Sequence, residues 1–267
     1  MTPTFSIIVP AFEAEAYLAQ CLDSALEQDI GAERFEIVVV DDCSADGTFA
    51  MAEEYARRHP NIRAARTAAN GGPGVGRNLG VELARGEWIL FLDSDDRLDR
   101  QALSRLDAFI AANQDCDAVR FNWRYRDGGG GEKFAYFADK QELLGKYLSL
   151  CMDGSVIYVA MRRSLLAEQE IHFLPGYHED VDYLLKVYWT ARRVGCLDAV
   201  LYEKHQRPGS IVNTISERHL EGFFRAWREI GEFAAARAGA GLPDWRDHYR
   251  KGLVGVVATR IREIFRR

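Results

Sequence analysis

Ile89-Leu90-Phe91-Leu92-Asp93-Ser94-Asp95-Asp96 is an apolar run that ends in three carboxylates within four residues. Five apolar residues from Trp88 to Leu92 are too few for a core helix and read as a buried strand. Alternation sends the carboxylates in different directions, yet at least two can face one ion. A hard divalent cation takes carboxylate oxygens and keeps positions open for phosphate, as Mg2+ does in nucleotide sites. The same residues would also serve as an acidic turn that ends a strand and caps the next helix.

Working outward, similar short runs occur at 5–9, 35–40 and 62–66, separated by helical patterns. Tyr17, Leu18, Cys21, Leu22, Ala25 and Leu26 recur at helical spacing, as do Met51, Tyr55 and Arg58, and 75–84 supplies a third helix. This alternation predicts an α/β fold, a mostly parallel sheet covered by helices. Ligands of such sheets sit beyond the carboxyl ends of the strands, where the acidic residues gather. Past Asp96 the pattern predicts a helix over 99–113, strands over 118–123 and 133–137 around a glycine-rich hairpin tip, and helices over 139–150, 179–194, 217–238 and 249–265.

Composition removes several functional classes. At 48% hydrophobic and 28% charged residues, 267 residues can bury a sizeable core. A net charge of -6 leaves no broad basic surface, so nucleic acid is not an expected partner. Five widely spaced cysteines with no C-x-x-C pair argue against a zinc cage or disulfide framework. No basic n-region precedes the run from Phe5 to Val9, and no apolar stretch approaches the roughly 18 residues of a membrane span. The expected location is cytoplasmic, with attachment to the inner face of the cell membrane left open.

Three further segments can carry chemistry. Glu36-Ile37-Val38-Val39-Val40-Asp41-Asp42 delivers a second acidic strand end, where a carboxylate can accept from a base N–H or a ribose hydroxyl. Ser44 and Asp46 beyond it read as caps of the next helix. Asn70-Gly71-Gly72-Pro73-Gly74-Val75-Gly76-Arg77-Asn78 is glycine-rich and opens a helix, but Leu79 stands where a dinucleotide fingerprint needs its third glycine. Gly71 and Gly76 have P-loop spacing, yet Arg77-Asn78 replaces the Lys and Ser/Thr that the P-loop requires. Arg77 can still pair with a phosphate or carboxylate through its fork of donors. Tyr177-His178-Glu179-Asp180-Val181-Asp182 opens an apolar-faced helix. Its acids either complement the helix dipole or supply a general base, with Glu179 and Asp182 raising the proton affinity of Asp180.

In order and spacing, Val9-Pro10-Ala11-Phe12, Val40-Asp41-Asp42-Cys43-Ser44, 70–78, Asp93-Ser94-Asp95-Asp96 and His178-Glu179-Asp180 resemble the motifs of family 2 glycosyltransferases over about residues 5–215. The resemblance implies a GT-A nucleotide-sugar-binding fold: a nucleotide-sugar-binding half over 1–97, an acceptor-binding and catalytic half over 98–215, and a helical extension over 216–267. It implies a nucleotide-sugar site drawn from Pro10, Phe12, Glu13, Asp42, Asn70, Arg77 and Asp93, with Asp42 facing a uracil N–H. It places a divalent metal, Mn2+ or Mg2+, on Asp95 with Asp93 and Asp96 as further candidates, and the base on Asp180. Tyr202-Glu203-Lys204-His205-Gln206-Arg207 resembles the family's late loop, where His205 or Arg207 would help the diphosphate depart. Glu13 stands where Asn is frequent, Cys43 where Gly is, and Gly76 where Ala is.

The resulting expectation is an inverting transfer from a UDP-sugar to a hydroxyl of a glycan or lipid-linked acceptor in surface polysaccharide synthesis. Its rivals are a P-loop-like nucleotide hydrolase and a non-catalytic sugar-nucleotide or glycan-binding module. Leu253, Val257, Ile261 and Ile264 beside Arg250, Lys251, Arg260, Arg262, Arg266 and Arg267 suggest peripheral membrane contact by the last helix, unless that helix packs on protein.

Overall fold

In the computed structural model, residues 2–126, 131–132, 137–150, 152, 154–205, 217–237 and 245–265 are described. The first hundred residues form β1 (Phe5–Ala11), α1 (Leu18–Leu26), β2 (Phe35–Asp41), α2 (Thr48–Arg58), β3 (Ile62–Arg66), α3 (Pro73–Leu83), β4 (Trp88–Phe91) and β5 (Arg97–Leu98). Then come α4 (Ala102–Ala112), β6 (Ala118–Tyr125), β7 (Gly131–Glu132), α5 (Lys140–Leu148), β8 (Val159–Arg162), α6 (Arg163–Glu168), α7 (Glu179–Thr190), β9 (Val194–Lys204), α8 (Glu217–Ala236) and α9 (Trp245–Phe265).

One sheet runs β3-β2-β1-β4-β8-β6-β9-β5, with β7 paired to β6. Its first four strands are parallel, β1 lying between β2 and β4 with Phe5 opposite both Phe35 and Trp88. Both β1 and β2 are buried throughout, which is why they read as continuous apolar runs rather than alternating ones. Glu36 sits inside this apolar layer because Ser6 (2.6 Å) and Arg63 (2.7 Å) bind its carboxylate.

Helix α3 lies flush on β1 through a glycine face. A Cβ at Gly76 would meet Pro10 at 3.3 Å, and one at Gly80 would run into the Ile8 side chain. This close approach lays Arg77 of α3 along the carboxyl ends of the strands.

The second half departs from the predicted pattern. Helix α7 ends at Thr190, and Val194 already begins β9, parallel to β6 with Ala118 opposite Val194. The stop is enforced from a distance: Asp117 accepts from the Arg192 backbone N–H at 2.8 Å and from its guanidinium at 2.7 and 2.9 Å. Strands β8 and β9 complete the sheet, and β5 pairs antiparallel with the end of β9, Leu98 opposite Tyr202. Of the strand expected over 133–137, all but Phe137 lies outside the described residues.

Helix α8 packs on α7, and α9 packs on α5 and α8. Tyr249 donates to the Phe223 carbonyl at 2.9 Å, and the Trp227 ring lies 5.0 Å from that of Trp245. Among the described residues no helix is long and apolar enough to cross a membrane.

Candidate active site

Strand β1 is where the chain reverses its direction of travel across the sheet, to β2 and β3 on one side and back to β4 on the other. A crevice opens at such a point beyond the carboxyl ends of the strands. Phe12 lies just beyond the carboxyl end of β1, 42% exposed, while Pro10 is buried within β1. Glu13 and Cys43 hold left-handed backbone at φ 46° and 62°, turning β1 and β2 sharply. The two turns are tied together by Glu13 N–H donating to Ser44 Oγ at 2.9 Å and Asp42 N–H donating to the Ala11 carbonyl at 2.8 Å. Asp46 accepts from Thr48 N–H at 3.0 Å at the entrance of α2, as expected of a helix-start residue.

Asp42, read from the sequence as the partner of a uracil N–H, is only 2% exposed. Its carboxylate accepts from Gly71 N–H (3.0 Å), Gly72 N–H (2.7 Å) and Thr67 Oγ1 (2.8 Å). The glycine-rich loop therefore wraps an internal carboxylate, with Asn70 exposed on its outer side.

Arg77 is the junction of the site, its side chain 6% exposed. One nitrogen donates to Asp93 at 3.0 Å and the other to Glu179 at 2.7 Å. Burial would lower its pKa, but the charges of Asp93, Glu179 and Asp180 outweigh that and raise it, so the cation is fixed. A single guanidinium thus joins the end of β4 to the start of α7, segments far apart in sequence.

The carboxylates after β4 divide by environment. Asp93 keeps 34% of its side chain exposed, and Asp95 is half-buried. Asp96 is buried, accepting from Tyr202 Oη at 2.7 Å and from His205 N–H at 2.6 Å. Burial and the neighbouring Asp93 charge push its pKa up to about 7, against those two hydrogen bonds. Tyr202 also accepts from Asp93 N–H at 3.1 Å, so one buried phenol from β9 sets the whole acidic turn. His205 follows, its ring 5.6 Å from that of Tyr17. Arg207 lies outside the described residues.

Asp93 and Asp95 are oxygen donors with access to water, the type a hard divalent cation takes. Among the described residues no three His, Cys, Asp or Glu side chains gather into a site able to hold an ion unaided. Asp96 is tied to Tyr202 and His205.

Asp180 is half-buried in the first turn of α7, whose N-cap is His178 in left-handed conformation (φ 57°). Its acidic neighbours are compensated: Glu179 by Arg77, and Asp182 by Lys186 and Arg225, each at 3.1 Å. Asp180 is thus the half-exposed acid of that turn, while Glu179 and Asp182 are buried in ion pairs.

Residues 6–168 match the family model described as Glycosyl transferase family 2. The chain belongs to glycosyl transferase family 2. Among family 2 relatives it is 34% identical over 211 residues to the poly(ribitol-phosphate) beta-N-acetylglucosaminyltransferase TarS of Staphylococcus aureus. That match covers 77% of this chain and 36% of TarS, so the chain spans about a third of that relative's length. The crystal structure of S. aureus TarS 1-349 in complex with UDP-GlcNAc superposes with a TM-score of 0.72 at 29% identity, covering 85% of this chain and 66% of that one. The mannosyltransferase PcManGT of Pyrobaculum calidifontis, in complex with GDP-Man and Mn2+, shares the fold at a TM-score of 0.62 and 20% identity, covering 96% of this chain and 81% of that one. The architecture is the GT-A nucleotide-sugar-binding fold of this family.

Two participants were not singled out from sequence. Glu179 read as a dipole partner or a charge that raises the proton affinity of Asp180, not as the partner of Arg77, and Tyr202 only as part of a late loop. Each is defined by a partner about a hundred residues away, Arg77 for one and Asp96 for the other.

Proposed function

We propose that this chain transfers a sugar from a UDP-sugar to a hydroxyl of a glycan or lipid-linked acceptor, with inversion at the anomeric carbon. The supporting observation is the Asp93–Arg77–Glu179 bridge, which holds an open acidic strand end beside the helix turn that carries Asp180. The TarS relative, named for sugar transfer to poly(ribitol-phosphate) and crystallised with UDP-GlcNAc, supports a UDP-sugar donor and a surface-polymer acceptor.

In this reading Phe12, Pro10 and Glu13 flank the nucleoside, and Asp42 holds the glycine-rich loop and Asn70 against it. Asp93 and Asp95 would hold Mn2+ or Mg2+ together with the donor diphosphate. When bound, that ion supplies positive charge to the departing UDP. Asp180 accepts the acceptor's hydroxyl proton as that oxygen bonds to the anomeric carbon opposite the diphosphate, whose bond to carbon breaks. One displacement inverts the configuration. His205 or Arg207 would help the leaving group depart.

A P-loop-like hydrolase loses support because Gly71 and Gly72 N–H already bind Asp42, where a phosphate would meet a like charge. A binding module would bind donor without turnover. The test is a panel of UDP-sugars with and without Mn2+, read as thermal stabilisation and UDP release with water as acceptor. Asp95→Ala is expected to remove the Mn2+-dependent part of UDP binding in calorimetry. Unchanged coupling between Mn2+ and UDP would exclude Asp95 as a ligand.

Membrane contact by α9 has a narrower basis. Gly252 packs against Ser149, Tyr249 is buried, and Leu253 packs partly buried against the core, so the first half of the helix is used by protein. The side chains of Val257, Ile261 and Ile264 lie outside the described residues, as do Arg266 and Arg267. If α9 docks on an anionic surface, Arg260→Glu with Arg262→Glu weakens sedimentation with anionic vesicles. Equal sedimentation of variant and parent removes the membrane contact.

A further inference from the structure

Helix α8 lies beyond the stretch matched by the family model, and it grips the backbone just ahead of Asp180. Arg225 donates to the Tyr177 and His178 carbonyls at 3.3 and 3.1 Å and to Asp182 at 3.1 Å. Phe223 stacks on His178 at 3.9 Å between ring centroids, and His219 stacks on Tyr177 at 4.8 Å. Gly222 faces the same turn so closely that a Cβ there would run into the Tyr177 carbonyl oxygen. Positions 219, 222, 223 and 226 make one face of a helix, so α8 presents a single surface to this turn, with Ala226 fully buried behind it.

What is gripped is not relaxed chain. His178 is a non-glycine residue at φ 57°, a conformation that persists only where surroundings over-determine it. The direction in which α7 leaves this residue sets where Asp180 points. From the opposite side Arg77 holds Glu179. The turn that carries Glu179 and Asp180 thus lies between two guanidiniums, the buried Arg77 of α3 and the half-buried Arg225 of α8.

We propose that Arg225 is a positioning residue for the acceptor-activating carboxylate, and that α8 acts through Gly222 and Arg225 as a brace that sets Asp180. This rests on Asp180 being the base. Arg225 bonds Asp182 and two carbonyls behind the turn, so it acts on Asp180 through the backbone.

A double-mutant cycle reads the coupling, using UDP release from the UDP-sugar selected by the stabilisation panel, with water as acceptor. Arg225→Met is expected to lower turnover at least about tenfold while UDP affinity with Mn2+ stays within about twofold. In an Asp180→Asn background the same change is expected to cost less than about twofold, because a misplaced base that is already absent cannot matter twice. Gly222→Ala, which improves helix propensity, is expected to lower turnover in the same background-dependent way by displacing the Tyr177 carbonyl. It carries the cycle if Arg225→Met does not fold. Losses that multiply in the two backgrounds, or parent-like turnover in Gly222→Ala, would overturn the brace. Parent-like turnover in Asp180→Asn alone would instead reject the base, and no turnover with any UDP-sugar would reject the function.

Discussion

Asp180→Asn will bind UDP and Mn2+ within several-fold of the parent and lose about 100- to 10,000-fold in turnover, the usual contribution of a positioned general base. Asn keeps the size of the side chain but cannot take the acceptor's proton. The competing account makes Asp180 a helix-start acid only. The structure gives the N-cap of α7 to His178, so an uncatalytic Asp180 contributes through the helix dipole, worth about 0.3 to 1 kcal/mol. Asn would then cost a little stability and leave turnover intact. Single-turnover UDP release measured beside UDP affinity separates the accounts, and parent-like turnover would pass the role of base to Glu179 or Asp182. Each of those two is held in a buried ion pair.

The second large effect belongs to Arg77. Replacing Arg77 with Met leaves Glu179 buried without its cation and Asp93 without its anchor. Removing one partner of a buried pair typically costs about 3 to 5 kcal/mol. Asp93 is 34% exposed and can rehydrate, so the lower end, about 3 kcal/mol, is expected. Urea unfolding checks this as a lower midpoint with an unchanged slope. Adding Glu179→Gln should recover part of the loss, because it removes the stranded charge. A midpoint within experimental error of the parent would show that the bridge contributes nothing net. Arg77→Lys should not substitute, since one ammonium cannot span both carboxylates with the geometry of the fork.

The N-terminal half of this site was legible because its strands are buried on both faces. Trp88–Phe91, Phe35–Asp41 and Phe5–Ala11 are buried throughout and apolar except for Ser6, Glu36 and Asp41, and they end in turns or acids, which fixes both the element and the place where ligands gather. The family motifs then attached roles to those ends. The second half was less legible because its decisive contacts are non-local. Nothing near Thr190 announces the end of α7; the Asp117 carboxylate that captures Arg192 lies 75 residues earlier. Strand β9 contains Gly195 and Asp198 and shifts register against β6 after Phe121, so its period is broken as well. The same limit applies to single residues. Asp42 has the position of a ligand contact, and only the fold reveals that the amides of Gly71 and Gly72 take its oxygens.

The 102 residues between Arg77 and Glu179 also bear on the order in which the molecule acquires its parts. A chain synthesised from its N-terminus completes β1, β2, α3 and β4, and with them the nucleoside end of the crevice, long before α7 exists. At that stage a donor could be held, but the residue that would direct a hydroxyl, or water, at its anomeric carbon has not been made. If Asp180 is the base, it and the tether Glu179 arrive in consecutive positions, and loop closure between the halves must be complete before either is in place. A nascent or half-unfolded chain would then hold a donor without the group that turns it over.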